Sequence, residues 1–157
     1  MTRIEELEQK VKELQTEIES LKKEESKKFP EAGDDYYTIS TMGEIGSAVT
    51  WTNHKTDKMR LLIGNCFKTE EEARFYIERL KVIAELRKYA EPDDTPWDGR
   101  AHYSISYDYL RNEIITPFYY NTKLCNLYFE SFNKAQEAIE TIGVKRLKKY
   151  YLGVAEV

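Results

Sequence analysis

Glycine is scarce and scattered in this chain, with seven in 157 residues. None stands in the G-x-x-x-x-G-K or G-x-G-x-x-G spacing that lets backbone amides cradle phosphate. Histidine is rarer still. His54 lies in a turn-forming stretch and His102 heads an aromatic run, and a lone histidine is more often structural than catalytic. The sequence has neither a nucleophile elbow nor a C-x-x-C pair. A zinc site needs about four clustered Cys or His ligands, and the cysteines and histidines here are badly spaced for one. Cys66 and Cys125 sit in apolar runs. They read as free thiols in a reducing compartment, because disulfide frameworks belong to short secreted chains with more cysteines. The acidic pairs Asp34-Asp35 and Asp93-Asp94 fall in polar connecting stretches, where solvation accounts for them. These absences point away from an enzyme, and neither a metal nor a cofactor is expected.

Long apolar runs are missing as well. None approaches the ~20 residues of a membrane-crossing helix, and the N-terminus is charged from Arg3 onward without an apolar signal region. A soluble protein that stays where it is made is the expectation. Residues are 41 % hydrophobic and 13 % aromatic, enough for a real core after Phe29. The net charge of −4 conceals an asymmetry. Residues 1–28 carry seven basic and eight acidic side chains, residues 29–99 nine and fourteen, and residues 100–157 eight and six. Nucleic-acid-binding domains are usually basic throughout; this chain is not.

What is present begins with a heptad seam. Thr2 followed by Glu5 has the spacing of a capping box. Ile4, Leu7, Val11, Leu14, Ile18 and Leu21 then alternate spacings of three and four. The β-branched Ile4, Val11 and Ile18 occupy a positions and Leu7, Leu14 and Leu21 occupy d, a choice that favours a parallel two-stranded coiled coil. In that register Arg3 meets Glu8 and Glu17 meets Lys22 across the interface, while Lys10 faces Gln15. No pair repels. Residues 1–28 are therefore expected to form a dimerisation helix, the alternative being an amphipathic helix packed on its own domain. Phe29-Pro30 ends it, since the residue before proline avoids helical angles.

The remainder repeats itself. Phe67 to Leu80 aligns without a gap with Phe129 to Ile142, sharing Phe67/Phe129, Ala73/Ala135, Ile77/Ile139 and Glu78/Glu140. Tyr36-Tyr37-Thr38-Ile39 is matched upstream by His102-Tyr103-Ser104-Ile105. The fold expected is α+β: the coiled-coil helix followed by a duplicated βββα unit with antiparallel sheets. The first copy spans 36–90, with strands near Tyr36–Thr41, Ala48–Thr52 and Arg60–Ile63. Thr69 caps its helix, with an apolar stripe of Ala73, Ile77, Leu80 and Ala84. A proline- and acid-rich linker occupies 91–99. The second copy spans 100–157, with strands near His102–Tyr107, Glu113–Phe118 and Leu124–Phe129. Its helix runs from Ser131 to Gly143, and Val144–Leu152 forms one more.

Two surfaces suggest binding. The strands carry Tyr36, Tyr37, Trp51, Tyr103, Tyr107, Tyr109, Tyr119, Tyr120 and Tyr128; such aromatics stack bases in single-strand binders, although strands favour aromatics for packing alone. The run Lys145-Arg146-Leu147-Lys148-Lys149-Tyr150-Tyr151 offers an anion or partner grip, with a solvated helix face as the plain alternative.

Trp51, Asp57, Arg60, the stretch Gly64-Asn65-Cys66-Phe67-Lys68-Thr69-Glu70-Glu71-Glu72-Ala73, the later Tyr128-Phe129-Glu130-Ser131 with Ala135, and the ending Gly143-Val144-Lys145-Arg146-Leu147-Lys148-Lys149-Tyr150-Tyr151 resemble small phage and prophage accessory proteins of Gram-positive bacteria. The resemblance spans residues 36–154. It implies a phage-encoded accessory protein of the bacterial cytoplasm. Taken with the heptad seam, the repeated scaffold, the lack of catalytic groups and the lopsided charge, the expectation is a non-enzymatic, dimeric protein that binds and inhibits a host defence or nucleic-acid-processing protein, by analogy with anti-CRISPR proteins. Single-stranded nucleic-acid binding in phage replication or recombination, and sequestration of a nucleotide signal, are the alternatives.

Overall fold

The computed structural model describes residues 3–25, 28–124 and 127–155, with side chains of the first helix described as far as Lys22. Thr2 of the expected capping box and Cys125 lie outside the described residues. Backbone contacts divide the chain into two units, Met1–Thr38 with Ser47–Lys68, and Ile39–Gly46 with Thr69–Val157.

The first unit opens with helix α1, Arg3–Glu25. Strand β1, Asp35–Tyr36, pairs antiparallel with β2, Val49–Thr50, placing Tyr36 opposite Val49. Helix α2, Lys55–Leu62, follows. Its start is capped by His54, whose Nδ1 accepts from the Thr56 N–H at 3.3 Å, while Asp57 accepts from the His54 N–H at 3.1 Å. Gly64, at φ +74°, reverses the chain after the helix, and the Asn65 N–H donates to the Arg60 carbonyl at 2.8 Å. The third strand expected at Arg60–Ile63 is thus the end of α2 and its cap. The reason is that α2 turns its aliphatic residues outward: Met59, Leu62 and Ile63 are exposed. Its buried residue is the acid Asp57, so no apolar helical period marks it.

The second unit contains α3, Glu70–Arg87, which begins where Thr69 Oγ1 accepts from the Glu72 N–H at 3.2 Å. Two short antiparallel pairings follow. β3, His102–Tyr103, pairs with β6, Phe118–Tyr119; β4, Ser106–Asp108, pairs with β5, Glu113–Ile115. The β4–β5 turn is held by the Asp108 carboxylate, which accepts from the backbone of Leu110 and Arg111, an Asx turn. Helix α4, Phe132–Ile142, is capped by Ser131 and stopped by Gly143 at φ +90°. Helix α5, Val144–Arg146, runs into a π-helical turn over Leu147–Tyr151. The core gathers Val82, Leu86, Ile105, Phe129, Ala138, Ile142 and Leu147, with Tyr89, Tyr103 and Tyr151 packed around it.

The stripe expected on α3 holds in part. Ala73 is buried, but Leu80 and Ala84 are exposed, and the helix buries Val82 and Leu86 instead. At about 100° per residue these lie on nearly the opposite face from Leu80 and Ala84. The helix has two apolar sectors, and α4 and the π-turn cover the smaller one.

The two copies share local features. Tyr37 and Phe67 form an antiparallel bridge, as do Tyr103 and Phe129. Thr69 and Ser131 each cap the helix that follows, and Ala73 and Ala135 are each fully buried. Between the bridge partners the copies diverge, since α2 occupies the first and β3 to β6 the second. The class is mixed α+β with small antiparallel pairings.

Candidate functional site

On α1 the side chains from Arg3 to Lys22 are all exposed. The six seam residues Ile4, Leu7, Val11, Leu14, Ile18 and Leu21 range from 49 to 69 % exposed, so an aliphatic stripe faces solvent along the described helix. Such stripes are normally covered.

In the first unit Trp51, Asp57 and Arg60, three residues of the sequence motif, converge on Tyr36. The Tyr36 hydroxyl donates to Asp57 Oδ1 at 2.8 Å and accepts from Arg60 Nη1 at 2.9 Å. Trp51 packs edge-on against the Tyr36 ring, centroids 5.8 Å apart. Asp57 Oδ2 accepts from the Thr52 N–H, the Thr52 hydroxyl and the His54 N–H. Burial alone would raise the pKa of Asp57, but these donors and the Tyr36 hydroxyl outweigh it and hold the carboxyl at about 2. Burial pushes the Tyr36 phenol up, against the pull of the Arg60 hydrogen bond. Burial likewise raises the Cys66 thiol, leaving it a weak nucleophile at neutral pH. The Tyr36 hydroxyl and both Asp57 carboxylate oxygens find their partners within this network, which makes it a staple joining β1 to α2.

The C-terminal cation run is dispersed. Arg146 is committed to a two-pronged contact with Glu85 at 2.8 and 2.9 Å, which lowers Glu85 and raises Arg146. Lys148 Nζ lies 4.8 Å from the Tyr107 ring centroid, and Lys149 Nζ 5.5 Å from that of Tyr150. Lys145 has a partner of its own. Tyr150 leans on Phe75. Burial raises the Tyr151 phenol, keeping it neutral. The aromatic set disperses too: Tyr36, Trp51 and Tyr128 are buried, Tyr37, Tyr103 and Tyr119 are half-buried, and Tyr120 is exposed.

A groove of about 940 Å³ lies within the second unit. One wall is the α3 face Arg79, Ile83 and Arg87; the other is Tyr107 and Tyr109 on the β4–β5 hairpin; Ile105, Leu127 and Leu152 floor it. Arg79 and Arg87 are exposed, and their side chains make no hydrogen bond or ion pair with any described residue. Lys123 and Asp93 also line it, with Lys123 Nζ donating to the Asp93 carbonyl at 2.8 Å. The sequence signal for this wall was R-x-x-x-I-x-x-x-R, which puts Arg79, Ile83 and Arg87 on one helical face.

The expected linker also supplies partners to a buried polar group at the start of the next strand. His102 is fully buried, and its Nδ1 lies 2.6 Å from Glu91 Oε2. Trp97 stacks on its ring at 4.2 Å and 19°. His102 Nε2 and Ser104 Oγ are buried without a hydrogen-bond partner among the described residues.

Among the described residues no group of three or more His, Cys, Asp or Glu side chains is placed to hold a metal ion, and no helix is long and apolar enough to cross a membrane. No protein-family profile, curated protein or solved structure matches the chain.

Proposed function

We propose that this chain is a non-enzymatic accessory protein that acts as a parallel dimer through α1 and binds a host defence or nucleic-acid-processing protein. One observation carries the dimer: the six a and d residues stand half-exposed or more along one side of α1, in a register whose cross-interface charges attract. A second copy supplies the same stripe, so a symmetric pairing covers both. Three heptads are marginal alone, and contacts outside α1 help hold the pair. The phage accessory role rests on the sequence motif. Trp51, Asp57 and Arg60 build the β1–α2 staple, so that part of the motif specifies a scaffold and leaves the exposed surface free to diverge.

Co-expression of two differently tagged copies tests the dimer. Wild-type chains co-purify, whereas Leu14→Asp in both copies separates them. The target class is tested by capture from lysate of a Gram-positive host with wild-type and Leu14→Asp baits. A host defence or nucleic-acid-processing protein retained by the wild type, and competed away by untagged protein, supports the reading; recovery of none removes it.

A further inference from the structure

We propose that the groove between α3 and the β4–β5 hairpin binds a single-stranded oligonucleotide. The charge on the groove is the first argument. Arg79 and Arg87 project from one helical face about two turns apart, eight residues or about 12 Å along the axis, and neither side chain has a partner among the described residues. Arginine left unpaired beside an apolar floor is poised for phosphate, which it grips with a planar two-donor fork. Lys123 adds a third cation at the rim, and Asp93 is the acid in the lining.

The facing wall supplies what a bare phosphate would not use. Tyr109 is 74 % exposed and meets Tyr107 edge-on at 5.0 Å. Tyr107 in turn carries the Lys148 ammonium against its ring. Exposed tyrosine opposite arginine is the pairing single strands require, a stacking platform for bases beside cations that follow the backbone. The groove is open and about 940 Å³, so a strand lies along it rather than being enclosed. A duplex, with its base faces hidden, has no use for the Ile105, Leu127 and Leu152 floor. Of the C-terminal cations, Lys148 is held against a groove residue, while Arg146 is spent on Glu85.

The site lies within one unit of one chain, so it does not depend on the dimer. The test is fluorescence anisotropy with a labelled oligothymidylate, in DNA and RNA form, of about 12 nucleotides. Saturable binding is expected. Two phosphate contacts give a slope of log K against log salt of about −1.4, and Arg79→Ala or Arg87→Ala each flattens it by about 0.7. Tyr109→Ala weakens binding about tenfold. Lys81→Ala, a cation on another face of the same helix and paired with Glu78, leaves it unchanged. Leu14→Asp retains one strand per chain, which separates failure of this proposal from failure of the dimer. Absence of saturable binding at low salt overturns the proposal, as does full affinity in the Arg79→Ala/Arg87→Ala double variant. Equal affinity for blunt duplex, equal competition by a mononucleotide, or equal competition by polyglutamate also overturns it.

Discussion

Replacing Tyr36 by phenylalanine isolates the hydroxyl at the centre of the first unit. The ring is fully buried and edge-on to Trp51, and phenylalanine keeps that ring in place, so the packing contribution nearly cancels. What disappears is the donor to Asp57 Oδ1 and the acceptor for Arg60 Nη1. A hydrogen bond to a charged group contributes about 1.5–3 kcal/mol. Both are lost together, but Asp57 Oδ2 keeps its donors from Thr52 and His54, and the half-buried Arg60 regains water. The expected loss is therefore about 2–3 kcal/mol rather than the sum of two full bonds. Urea titration of Trp51 fluorescence in a Trp97→Phe background reads it, since the sequence has two tryptophans. The midpoint should fall with little change in slope, and α2 amides should exchange faster. A shift below about 0.5 kcal/mol, the range of an ordinary surface substitution, would refute the staple.

The Asp57 carboxyl extends the same argument to pH. Its pKa is held at about 2 against an ordinary 3.8, so its contribution is present above pH 4 and is lost as pH falls toward 2. Asp57→Asn should remove that acid dependence from the Trp51 signal while destabilising the first unit at neutral pH. In the second unit the Arg146–Glu85 pair is about a third exposed on each side. A double-mutant cycle with alanine should give a coupling of about 0.5–1 kcal/mol that shrinks in high salt; no coupling at low salt would show that the two prongs contribute nothing.

The devices that end helices were legible in the sequence. Thr69, Ser131 and Gly143 act where their types and spacing placed them, because a cap is a local bargain between one side chain and the next turn. The bridges Tyr37–Phe67 and Tyr103–Phe129 fall at matching positions of the sequence repeat, but the βββα unit expected from it does not recur between them. What failed was inference from apolar pattern where the inward face is polar. Helix α2 buries Asp57 and half-buries Arg60 while exposing Leu61, Leu62 and Ile63, so its aliphatic run read as a strand. On α3 two apolar sectors competed, and periodicity favoured the exposed one. The groove escaped notice because its walls come from residues twenty or more positions apart, Arg79 and Arg87 against Tyr107 and Tyr109. Trp97 was misplaced for a related reason: proline and acid mark a linker, and nothing local announces that its tryptophan stacks on His102.

Sedimentation equilibrium at micromolar concentration tests the central claim, that the α1 stripe is covered by a second copy. Each seam side chain contributes roughly 1.5–3 kcal/mol when buried, and Leu14→Asp removes one from each chain, so dissociation should strengthen at least a hundredfold. The wild type should sediment at twice the 18.6 kDa of one chain, and Leu14→Asp, or deletion of residues 1–28, at the mass of a monomer with both units still folded. A monomeric wild type would contradict the account outright, and an undiminished dimer after deletion would place the interface elsewhere than α1.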